Sequence, residues 1–144
     1  VVYQARECGR DPDARCEALP WLLVFIGGGL GAMGRHGVNL VAARLLGVGF
    51  PWGTFAVNVF GSLVMGLIAG WLTMRAGFAW SQHTRLFLMT GILGGFTTFS
   101  AFSLDAALIW ERGEHGLAAL YVVASVVLAI LGLFAGLWFW RSVG

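Results

Sequence analysis

The chain has 144 residues, of which 58% are hydrophobic and only 11% charged, less than half the roughly 25% charged content of a soluble domain. Nine Arg, no Lys and seven acidic residues leave a formal net charge of +2, and all seven acids fall in residues 1–17 or 105–114. The carboxylate-free stretch from Ala18 to Leu104 excludes a soluble surface, a two-carboxylate active site and a carboxylate-based metal cage, so the composition is that of a bilayer protein.

Residues 1–20 are polar and mixed in charge, and they are expected to form an unstructured extension. Cys8 and Cys16 fit no common zinc spacing. A helix needs about 20 mainly apolar residues to cross a ~30 Å hydrocarbon core. Four such spans fit, at about 21–46, 52–74, 86–110 and 117–140. Pro51, the polar Arg75 to Arg85 stretch and the Glu111 to Gly116 turn separate them. Trp21, Trp52, Trp80, Trp110, Trp138 and Trp140 fall at the expected ends, where an indole keeps its ring in lipid and its N–H in water. The fold class is therefore all-α and membrane-spanning.

Orientation follows from Arg near the span ends. Without the extension, one side has Arg75, Arg85 and Arg141 and the other has Arg44 and Arg112, which is almost no bias. A chain with so little preference can insert both ways up and pair head to tail.

Many of the 22 glycines stand four apart inside the spans: Gly27 and Gly31, Gly66 and Gly70, Gly91 and Gly95, Gly132 and Gly136. These spacings let helix backbones touch in lipid, where no hydrophobic force drives association. Gly29, Gly31 and Gly34 match the dinucleotide pattern G-x-G-x-x-G, but no strand precedes them and no acid follows at about 20 residues, so a packing face explains them.

The few polar residues inside the spans are the functional candidates. Arg35 must face water, a carboxylate or carbonyls, either as a structural anchor or as an anion attractor. Asn58 is either interhelical glue or a hydrogen-bond donor, with Ser62 one turn along. The run from Gly91 to Ser103 has paired glycines and paired threonines at mid-membrane, which is poor helix material. A helix that breaks there frees carbonyls, and those of Gly94 and Thr97 suit a hard cation such as sodium. The alternative is a glycine-packed helix whose threonine hydroxyls bond to their own backbone. Phe99 and Phe102 share a face, as core filler or as ring edges turned toward a small anion. Asp105 continues that stripe, at an interfacial position or paired with an Arg. Tyr121 and Ser125 lie one turn apart on the fourth span.

Gly27 to Arg35 (GGGLGAMGR), Gly53-Thr54 with Val57-Asn58 and Gly61, and Thr90 to Ser103 (TGILGGFTTFSAFS) together resemble the Fluc/CrcB family of bacterial fluoride channels. The likeness covers about residues 22–140. It implies a four-helix subunit with a break in the third helix, an antiparallel dual-topology homodimer, two fluoride pores and a structural sodium ion on the two-fold axis. By that resemblance Gly94 and Thr97 supply the sodium carbonyls, and Asn58 donates to fluoride. Phe99 and Phe102 line the pores, Tyr121 and Ser125 form a polar track, and Arg35 is the vestibule arginine. Phe96, Ala101, Asp105 and His36 depart from the usual leucine, threonine, glutamate and aromatic. Ala129 and Leu133 stand where Ser or Thr commonly continue the track.

The implied role is passive fluoride export across the bacterial inner membrane, with fluoride, lipid and a second copy as partners and no nucleic acid. Two other classes compete. A small proton-coupled multidrug exporter needs a carboxylate in the first span, and this one has none. A membrane scaffold would use the glycine faces alone. An enzyme is disfavoured because His36, His83 and His115 have no catalytic partners nearby in sequence.

Overall fold

The computed structural model describes residues 14–74 and 82–143. Four helical segments there are long and apolar enough to cross a membrane: Ala18–Leu46, Trp52–Leu72, Gln82–Glu111 and His115–Ser142. Residues 1–13, Arg75 and Trp80 lie outside the described residues.

Helix α1 runs Ala14–Leu46. It begins before the expected start at Trp21, so the last part of the expected unstructured extension is helical. Once a long helix exists, each added residue gains a hydrogen bond without paying for nucleation. Helix α2 spans Trp52–Met74. The third span is composite: α3 (Gln82–Arg85), a π-helix (Leu86–Leu93), α4 (Gly94–Phe96) and α5 (Phe99–Glu111). Helix α6 covers His115–Val143. Gly47 and Gly113 take left-handed backbone angles (φ 80° and 81°) in the two short turns, a conformation that costs glycine nothing.

Glycines decide which spans touch. A Cβ on Gly31 would meet the Ile92 carbonyl and the Phe96 amide, and one on Gly95 would meet the Gly28 backbone, so the first and third spans lie backbone to backbone. Gly66 packs on Leu133 and Gly136 on Leu63 and Gly66, which joins α2 to α6 in the same way. In both pairs residue numbers rise together, so the paired helices run parallel. Of the dinucleotide-like glycines, all within α1, Gly31 packs tightly on the third span and Gly34 touches the Phe96 ring, whereas Gly29 faces open space and is not part of that packing face.

The tightest apolar cluster is small: Phe102, Ile109, Ala118 and Tyr121, with Phe50 and Phe55 against it. Most large apolar side chains instead face outward, Phe25, Phe60 and Phe134 among them. That surface suits lipid, where apolar exposure carries no hydrophobic penalty.

Candidate ion pathway

The third span changes character at mid-length. Gly94 N–H reaches the Met89 carbonyl, five residues back, in the wide spacing of a π-helix. Thr97 (φ −78°, ψ 155°) and Thr98 (φ −153°, ψ 117°) are extended between α4 and α5. Two extended residues inside lipid leave backbone groups that must find partners.

Asn58 supplies two of them. Its Oδ1 accepts from Thr98 N–H at 2.8 Å and its Nδ2 donates to the Thr98 carbonyl at 3.0 Å. The amide thus spans from α2 to the third span as glue and still has one Nδ2 hydrogen to offer. The Thr98 hydroxyl accepts from Ala101 N–H at 3.2 Å and caps α5. Thr97 Oγ1 donates to the Leu93 carbonyl at 2.9 Å, the local back-bond expected of a membrane threonine.

The same bonds release the carbonyls of Gly94 and Thr97. In a continuous α-helix Gly94 O would accept from Thr98 N–H and Thr97 O from Ala101 N–H. Here Asn58 takes the first donor and the Thr98 hydroxyl takes the second. Gly94 itself is an exposed residue. Two uncharged oxygens three residues apart fit a hard cation such as sodium.

Beyond this step comes a line of aromatic rings. Phe99 and Phe102 have centroids 5.5 Å apart, Phe102 and Tyr121 5.2 Å, and Tyr121 and Phe50 5.4 Å edge-on at 90°. The line leads from mid-membrane to the 47–51 turn. Phe99 is 77% exposed, whereas Phe102 is 7% and Tyr121 0% exposed. Ser125, one turn from Tyr121, is 4% exposed. Neither the Tyr121 hydroxyl nor the Ser125 hydroxyl has a hydrogen-bond partner among the described residues. Asp105 lies beside Tyr121, but its Oδ2 is also buried without a partner. Of the two roles open to Asp105, an interfacial position or a pairing with an Arg, no Arg pairing is present among the described residues, where Arg112 faces Glu114 at 3.4 Å.

Arg35 is half-buried, one residue past Gly34, which faces the Phe96 ring. No hydrogen bond or ion pair joins it to Asn58 or the ring line among the described residues. Phe50 and Thr98 join the site without having been singled out as site residues. Thr98 carries a legible signal, a threonine directly before a helical run; Phe50 lies in a turn and carries none.

Residues 22–137 match the sequence model of the family described as CrcB-like protein, Camphor Resistance (CrcB). The chain belongs to the CrcB family. A relative from Rhodopseudomonas palustris (strain BisB5), named fluoride-specific ion channel FluC, is 66% identical over 125 residues, covering 87% of this chain and 99% of the relative. One from Nitrobacter hamburgensis, named fluoride-specific ion channel FluC 2, is 67% identical over 117 residues, or 81% of this chain and 93% of the relative. A third from Hyphomonas neptunium, also named fluoride-specific ion channel FluC, is 57% identical over 123 residues, covering 85% and 96%. These relatives are named as channels rather than enzymes, and this CrcB chain is a multi-pass membrane protein.

Proposed function

We propose that this CrcB chain is a fluoride-selective channel, working as an antiparallel homodimer in the bacterial cell membrane and letting fluoride leave the cytoplasm passively. The observation that carries this reading is the line of rings and unpartnered hydroxyls beside the amide-held step at Thr98.

Fluoride is small and holds water strongly. A pore must replace that water without binding so well that the ion stays. Neutral donors and ring edges meet both demands, whereas a fixed cation in the path would trap the ion. Here the donors are the second Asn58 amide hydrogen and the hydroxyls of Tyr121 and Ser125, with the ring edges of Phe99 and Phe102. Arg35 would stand in the vestibule as an attractor. Chloride, being larger, gains less from compact donors.

Two features favour a second copy. The Phe99 ring is mostly uncovered in one chain, and the carbonyls of exposed Gly94 and half-buried Thr97 offer a cation only part of the roughly six oxygens that hard cations take. A sodium ion held by these carbonyls from both copies would supply a fixed positive charge and tie the copies together.

The test is efflux from vesicles holding the purified chain, loaded in turn with fluoride and with chloride. Fluoride efflux far above chloride efflux is expected, and equal or absent efflux of both sinks the reading. A smaller companion effect is expected for Tyr121→Phe. The change removes one hydroxyl donor from the ring line and leaves the ring in place, so fluoride flux falls while the fold is kept, the hydroxyl lying beside the Asp105 side chain rather than holding helices together. The same efflux assay reads the loss, and a scanning thermal melt checks that the fold is kept.

A further inference from the structure

A cleft of about 310 Å³ opens where the 47–51 and 112–114 turns lie side by side. Asn39, Thr54, Asp105 and Arg112 are among its walls. Asn39 Oδ1 and Asp105 Oδ2 are buried acceptors without hydrogen-bond partners. A cleft walled by a carboxylate and bare acceptor oxygens repels anions, yet Asp105 lies beside Tyr121 of the ring line. Of the described residues lining the cleft, Arg112 is the single cation. Arg44 and Glu111 stand at the same end of the bundle but do not line it.

Arg112 is held at this rim by two different contacts. Its Nη2 donates to the Gly49 carbonyl at 3.1 Å, a bond across 63 residues that ties one turn to the other. Its Nε faces Glu114 Oε1 at 3.4 Å, with the two side chains 43% and 46% exposed. A solvated ion pair of that kind is weak and screened by salt, so a mobile anion can displace the Glu114 carboxylate.

We propose that Arg112 is the anion-collecting residue of this mouth, offsetting the Asp105 carboxylate and exchanging Glu114 for an incoming fluoride ion. The proposal rests on the fluoride-channel reading. The guanidinium stays outside the ring line, so it concentrates the ion without trapping it in the narrow part. Arg35, further along α1, has no such tie to a turn.

Fluoride efflux from vesicles is measured at low and at saturating fluoride for the parent chain, Arg112→Gln, Arg112→Lys and Glu114→Gln. At low ionic strength Arg112→Gln is expected to slow efflux about tenfold at low fluoride and to leave the saturating rate nearly unchanged. Arg112→Lys keeps the charge and most of the low-fluoride rate. Glu114→Gln leaves the Gly49 bond in place and raises the low-fluoride rate. Raising an inert salt to about 1 M, where the screening length is ~3 Å, brings the parent down toward Arg112→Gln. The inference is overturned if Arg112→Gln matches the parent, or if it loses rate equally at all fluoride levels with no rescue by lysine, which is the signature of a turn tether alone. Should Arg112→Gln not fold, unchanged low-fluoride rates in Glu114→Gln overturn it instead. A parent chain that passes no fluoride fails the channel reading itself.

Discussion

Phe102→Ile is expected to cut fluoride efflux to the leak of protein-free vesicles while the protein keeps its yield and elution position. The Phe102 ring is 7% exposed and lies between Phe99 and Tyr121, so an ion following the ring line must pass its edge. Isoleucine keeps the site apolar and nearly filled, at a cost of about 1–2 kcal/mol, which a folded domain tolerates. It has no quadrupole. A poorly hydrated contact between an ion and a ring is worth about 2 kcal/mol for cations on the face, and the edge contact of an anion is of the same electrostatic kind. Since about 1.4 kcal/mol on a barrier is tenfold in rate, losing one such contact costs at least ~30-fold. Phe102→Leu separates ring from volume: it should lose flux as isoleucine does. Leucine at the parent rate would show that filling space, not the ring edge, is what position 102 contributes.

The bundle was legible because lipid imposes coarse rules. A run of apolar residues bounded by Trp and Arg is a span regardless of its neighbours, and the four segments fall where hydropathy places them. The glycine pairs were legible as contact faces, but not their matching of first with third span and second with fourth. Nothing local in Gly31 names Ile92 as the group a Cβ would strike. The π-helix over Leu86–Leu93 was not legible for a related reason. Five-residue spacing is a small difference in backbone winding, settled where Gly27 and Gly31 let the first span approach closely, and no residue type signals it.

Site residues divide along the same line. Thr97 and Thr98, the extended pair, fall inside the Gly91 to Ser103 run that stands out on composition alone. Tyr121 and Ser125 stand four residues apart on one helix face, so their spacing alone places them together. Asn58 and Thr98 are 40 residues apart, and Arg112 and Gly49 are 63 apart. Such pairs become visible only when the spans are stacked. Asn58 shows the consequence: both glue and anion donor were open for it, and the stacked structure commits its carbonyl and one hydrogen to Thr98 while leaving the other hydrogen.

That division of labour predicts that Asn58 cannot be replaced by either half of its chemistry. Asn58→Leu strands the Thr98 N–H and carbonyl, in a residue 8% exposed, with no water to take over. Each stranded buried group costs about 1–3 kcal/mol. Side-chain hydrogen bonds in membrane helices average less, about 0.6 kcal/mol, because the separated helices find other partners. Two extended residues at mid-membrane have no helical partner to fall back on, so the upper figure applies and the total is about 2–6 kcal/mol. That is a large share of a typical 5–15 kcal/mol of stability. Asn58→Leu is therefore expected to lose folded yield on size-exclusion chromatography. Asn58→Asp keeps an acceptor for Thr98 N–H, but sets a carboxylate oxygen against the Thr98 carbonyl and places a negative charge where an anion must pass. It should remain purifiable with a lowered thermal midpoint, and its fluoride efflux should fall to the leak. Parent-level efflux from Asn58→Asp would mean that fluoride does not travel past this amide, leaving Asn58 as glue alone.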